Sequence, residues 1–211
     1  MRSFALFVVL CASVAHAQFI RALNGQQLAA MYTANGAPLI SSLQGAHLDE
    51  VLAGKQRAFS LPLTATDLVP TGPRNVPLQV AEAASTEQDR VALVKLCRDV
   101  QEALEQQPKL RKNNLAMALE VLLGVSLQVA RGRVLTEPEG EQLQRAINDA
   151  LAGSDKVKKL TAAQRTLAYD TFLISGGLIA GLAQSGKDTK DEALTASARD
   201  LAIATLKKFG L

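Results

Sequence analysis

The stretch LAMALEVLLGVSLQVA, residues 115–130, carries one charge, Glu120, among apolar side chains that reach almost all the way round a helix. A helix apolar on nearly every face is stable in water only when other helices wrap it. The rest of the chain must therefore supply that wrapping, and the composition says how. Among 211 residues, 48% are hydrophobic and 20% charged, but only 4% are aromatic and there is no Trp. Alanine and leucine, good helix formers, dominate over the β-branched and aromatic residues that favour sheets. The expected fold class is all-α, a bundle of about five helices preceded by an irregular N-terminal segment and a cleaved signal peptide.

The N-terminus has the three parts of a secretory signal: Arg2 as the positive region, an apolar run over residues 4–14, and Ala15-His16-Ala17 as a small-x-small cleavage site. The run is too short for a permanent membrane span. Cleavage after Ala17 is expected, leaving Gln18 first in a periplasmic or secreted protein with no transmembrane helix. Lipidation of Cys11 is the competing reading, but bulky Leu10 precedes it where a lipoprotein signal wants a small residue. Loss of Cys11 leaves Cys97 alone, which excludes an intramolecular disulfide. Cys97 falls on the apolar side of a predicted helix and reads as a small hydrophobe. Loss of Arg2 lowers the formal charge from +3 to +2, too little to suggest nucleic acid.

Residues 18–80 read as an irregular, partly helical segment and connector. Asn24-Gly25, Asn35-Gly36 and Pro38 interrupt any long helix, so only short ones over residues 26–32 and 46–53 are expected. FSLPLTATDLVPTGPRNVP, residues 59–77, has four prolines, which lack an amide donor and bias the preceding residue to extended geometry. It reads as an extended connector with neither helix nor central strand. Removing residues 18–55 is expected to leave a cooperatively folding bundle.

The bundle domain spans residues 81–211. Ser85 and Gln88 have capping-box spacing, Leu93, Cys97, Val100 and Leu104 recur on one face, and Pro108 ends that helix. Asn113 or Asn114 caps the apolar helix, which runs out near Arg131-Gly132-Arg133. Thr136 and Glu139 begin the next, with Gly153 placed to close it in the left-handed conformation. Thr161 and Gln164 begin a helix over residues 162–185, ~36 Å long, ended by Gly186. The last covers residues 189–208, directing Leu194, Ala198, Leu201 and Leu206 to the core. Short connections fit a single bundle.

Little here carries chemistry. His47 is the one histidine left after signal cleavage, with no partner at the spacings of zinc sites or catalytic dyads. No GxSxG, HExxH, Walker or GxGxxG motif occurs. Ser175-Gly176-Gly177 lies inside a helix pattern with no preceding strand, which excludes a phosphate loop. No cofactor or metal is implied. What remains are two carboxylates, each interrupting a very apolar helix. Glu120, Gly124, Gln128 and Arg131 share one helical stripe; Asp170, Gly177, Gly181 and Gln184 share another. Glu120, Gly124, Gln128, Asp170, Gly177 and Gly181 are the candidate interaction or polar-seam positions. A solvent face or seam is the expected role, against an acid/base pair. Gly177 and Gly181 also have GxxxG spacing, read here as close packing within a bundle.

TDLVPTG at residues 66–72, LRKNNLAMAL at 110–119 and YDTFLISGGLIAGL at 169–182 resemble an uncharacterised family of exported bacterial all-helical proteins, a domain of unknown function. The resemblance covers about two-thirds of the chain. It implies an exported helical domain and supplies no activity or catalytic residues.

The functional expectation is an exported non-enzymatic protein acting through contacts with another envelope or secreted protein. The alternatives are a carrier of a small apolar ligand in the bundle core, and an enzyme using Glu120 or Asp170.

Overall fold

The computed structural model describes residues 25–55 and 58–211; the expected signal sequence and cleavage site lie outside the described residues. Nine helices and one 3-10 turn, with no strand, make up the described residues: α1 Gly25–Leu43, α2 Leu48–Leu52, the turn Leu63–Thr66, α3 Val76–Ala81, α4 Glu87–Glu105, α5 Leu115–Arg131, α6 Glu137–Gly153, α7 Asp155–Lys158, α8 Ala162–Thr189 and α9 Glu192–Lys208. The apolar helix of the sequence is α5. From Leu115 to Ala130 every residue is buried except Gly124, Gln128 and Val129, because α6, α8 and α9 enclose it. Helix α8 is the second axis and packs on α1, α3, α4, α5 and α9.

Local capping sets the helix starts. Complete capping boxes link Thr136 with Glu139 and Thr161 with Gln164. Asn114, not Asn113, caps α5 by accepting the Met117 N–H. Thr86 rather than Ser85 caps α4, since its hydroxyl accepts the Asp89 N–H. Two expected helix ends move. Gly153 closes α6 as an ordinary helical residue and the chain turns again through α7. Gly186 stays inside α8: a Cβ there would lie 2.5 Å from the Thr195 hydroxyl, so its bare backbone admits the first turn of α9. Lys190, left-handed at φ 54°, ends α8 instead.

Helix α1 corrects the expectation of only short helices before residue 55. It runs unbroken through Asn35-Gly36 and Pro38 and makes six long helices rather than five. Each breaker is absorbed by a tertiary contact. Asn35 Nδ2 donates to Thr171 Oγ1 at 2.9 Å and Gln79 Oε1 at 2.8 Å. At Gly36 a Cβ would come within 2.4 Å of the Phe172 ring, so glycine lets α8 seat against α1. Pro38 supplies only a carbonyl, which accepts from the Ser41 and Ser42 hydroxyls. Leu28, Tyr32, Leu39 and Leu43 all enter the core, and Tyr32 forms an aromatic trio with Phe172 and Phe209 at centroid separations of 6.0–6.2 Å. Such packing outweighs weak local propensity.

The proline-rich connector is extended only in part. Its 3-10 turn buries Thr66, whose hydroxyl donates to Asn148 of α6, and its last two residues open α3, with Pro77 in the first turn where no amide donor is needed. Helix α8 is long and apolar enough to cross a membrane by length and composition, yet 89% of that stretch is buried inside the bundle. Gly177 of its GxxxG pattern faces another helix of the same chain: a Cβ there would lie 2.2 Å from a Val100 methyl of α4. Cys97 is buried on α4, and burial pushes its thiol up to about 12, which makes it a packing residue.

Candidate functional site

The loop after the 3-10 turn is fixed before it reaches the site. Pro70 and Pro73 restrict it, Gly72 takes φ 78° and lies against Ala163, and the Thr71 N–H donates to Thr166 Oγ1 at 3.0 Å. Thr166 and Asp170 stand one turn apart on the same face of α8. The side chain of Arg74, three residues beyond Thr71, thereby meets Asp170.

Asp170 has no exposed side-chain surface. Arg74 forks onto it, with Nε 2.9 Å from Oδ2 and Nη2 on Oδ1, and Gln101 Nε2 donates to Oδ1 at 2.7 Å. Gln101 and Glu105 stand one turn apart on α4. Arg74 Nη2 also reaches Glu105 Oε1 at 3.0 Å, and Lys112 Nζ reaches Oε2 at 3.0 Å. Burial pushes the Glu105 carboxyl up, but the hydrogen bonds and charges of Arg74 and Lys112 outweigh it and hold the group below the usual carboxylate value.

Lys112 is positioned by a second fixed loop. Asn113 is left-handed at φ 56°; its carbonyl accepts the Leu68 N–H at 2.8 Å and its N–H donates to the Tyr169 hydroxyl. Asn114 Nδ2 donates to Leu63 O and Asp67 Oδ1, both at 2.8 Å, and Arg111 Nε donates to Asp67 Oδ1 at 2.7 Å. All three stretches that carry the family resemblance meet here. A groove of about 380 Å³ opens over the cluster, lined by Arg74, Arg98, Gln101, Glu102, Glu105 and Lys112 among others.

The other carboxylate singled out in the sequence lies elsewhere. Glu120 is 6% exposed between α5 and α6, with its Oε1 3.3 Å from where a Gly140 Cβ would stand. It has no hydrogen-bond or ion-pair partner among the described residues, and burial pushes its carboxyl up to about 7. Gly124 and Gln128 share its cleft, which has about 20 Å³ of room, enough for roughly one water. The Glu120 stripe thus runs from buried Glu120 to exposed Gln128, whereas Asp170, Gly177 and Gly181 are all buried. The structure does not bring Glu120 and Asp170 together. Arg74, Gln101, Glu105 and Lys112 escaped the sequence reading; the one signal pointing to them is that a carboxylate inside so apolar a helix requires a cationic partner.

No group of three or more His, Cys, Asp or Glu able to hold a metal ion occurs among the described residues. His47 is exposed at the start of α2, with Glu50 3.8 Å from its ring.

A family model described as a family of unknown function, DUF6683, matches residues 3–211, and the chain belongs to that family. No curated protein and no solved structure matches it.

Proposed function

We propose that this member of the family is an exported, non-enzymatic helical protein that acts by holding another envelope or secreted protein at the groove over Arg74. Export is supported by Arg2, the apolar run 4–14 and Ala15-His16-Ala17. The observation that carries the contact role is the state of the acids in the groove floor. Asp170 and Glu105 are both engaged on both oxygens by Arg74, Gln101 and Lys112. Carboxylates engaged this way organise a surface.

Glu120 favours a second, enzymatic reading, because a carboxyl near pH 7 suits general acid or base work. Its cleft holds about one water, which leaves no room for a substrate beside it. The carrier reading is opposed where α5 and α8 cross: a Cβ on Gly176 would stand 3.2 Å from the Leu122 backbone, so these helices close on each other.

Native mass spectrometry of the protein isolated from its own envelope tests this. A co-purifying protein is expected. A retained small apolar molecule in its place supports the carrier, and a turnover lost on Glu120→Gln supports the enzyme.

A further inference from the structure

We infer that the groove binds a carboxylate presented by the partner chain, and that exposed Arg98 is its principal contact. This rests on the partner-holding reading above and adds the chemistry of recognition. The acids of the floor have little acceptor capacity left: Glu105 Oε1 takes Arg74 and Gln101, its Oε2 takes Lys112, and Asp170 takes Arg74 and Gln101. The cations, by contrast, keep donors. Arg74 uses Nε and Nη2 but makes no bond through Nη1 among the described residues, and its side chain is 36% exposed. Lys112, 57% exposed, uses its ammonium on Glu105 alone among the described residues. Arg98 lines the groove from the exposed face of α4 and has no partner among the described residues.

Unused donors on three cations, above acids already engaged, make a site for an anion. The size of the charge follows from the balance of the lining. Arg74, Arg98 and Lys112 are matched by Glu102, Glu105 and Asp170, so the site tolerates one added negative charge better than two. Glu102 strengthens this, since its Oε1 accepts from Gln106 while its Oε2 stays open and repels a dianion. A planar monoanion that the Arg98 guanidinium can grip through two nitrogens, with Arg74 Nη1 as a further donor, is a carboxylate. The groove, about 380 Å³, has room for one side chain and its backbone.

The test is an NMR titration of the isotope-labelled protein with a blocked tetrapeptide carrying one glutamate side chain. Its glutamine twin and inorganic phosphate at matched ionic strength serve as comparison probes. The glutamate peptide is expected to shift the amides of Gln101, Glu102 and Lys112 to saturation, the twin to leave them in place, and phosphate to act only at higher concentration. Arg98→Gln is expected to weaken the peptide about tenfold with an unchanged thermal midpoint, since Arg98 holds nothing in the fold. Equal shifts from the twin, phosphate saturating at lower concentration, or an Arg98→Gln protein that titrates like wild type would each overturn the inference. If native mass spectrometry shows a protein partner while the titration is silent, the carboxylate assignment falls and partner binding stands. If it shows no partner, the partner reading falls whatever the peptide does.

Discussion

Arg74, in the loop before α3, closes over Asp170 of α8 with two nitrogens while the same guanidinium reaches Glu105 of α4. One side chain therefore ties a loop to two helices, and the carboxylate beneath it has no exposed side-chain surface.

Arg74→Met should destabilise the protein by about 2–4 kcal/mol, because it leaves Asp170 buried with Gln101 alone; the partial exposure of Arg74 keeps the loss below that of a wholly buried pair. Asp170→Asn preserves shape and should cost less. Chemical denaturation of both single variants and the double variant measures the coupling, and the double should lose less than the sum. Strict additivity would mean that the pair does not interact.

Glu120 makes stability depend on pH in a way that a paired carboxylate does not. Its folded value of about 7 stands above the unpaired 4.5, so between these limits the folded state binds more protons than the unfolded, and stability falls as pH rises. The loss starts near pH 4.5, is complete above about pH 7, and is on the order of 3 kcal/mol. Glu120→Gln removes it: the variant should be close to wild type at pH 4.5 and more stable above pH 7. Parallel thermal midpoints for the two proteins over that range would show that Glu120 is solvated or paired.

Gly177→Ala tests the seam between α8 and α4. The added methyl meets Val100 at 2.2 Å and Leu104 at 3.1 Å, and a valine on a helix has little rotamer freedom to yield. Overpacking of about 1–3 kcal/mol should exceed the gain of up to about 1 kcal/mol in helix propensity. A lowered denaturation midpoint is expected, and a raised one would place Gly177 on an open face.

Deleting residues 18–55 removes α1 and α2 and with them the core residues Leu28, Tyr32, Leu39 and Leu43, uncovering Phe172 and Phe209. Because α1 is part of the core, the expectation that the remainder folds cooperatively is reversed, and the deleted protein should lose its sharp thermal transition in calorimetry. Retention of that transition would show that α3 to α9 fold without α1 and α2.

Elements governed by local chemistry were legible in the sequence. Thr136 with Glu139 and Thr161 with Gln164 begin helices where their spacing says they should, and the apolar character of residues 115–130 correctly demands enclosure. Helix α1 was not legible, because Gly36 and Asn35 act as breakers by propensity, and only Phe172 and Thr171, far along the chain, turn them into contacts. The site was half legible. Asp170 stands out as a charge in an apolar helix, but its partner lies 96 residues away among 23 Lys and Arg, and nothing local selects Arg74.

Site-specific photo-crosslinking in the native host tests groove-mediated partner contact. The crosslinking side chain replaces Gln106, which lines the groove without removing any of its cations, and exposed Asp49 on α2 serves as the comparison position. One discrete protein adduct at position 106, absent at 49 and lost when Arg98→Gln is added, is the expected result. Adducts of equal yield at both positions, or none at 106 in a correctly folded protein, would contradict partner binding at this groove.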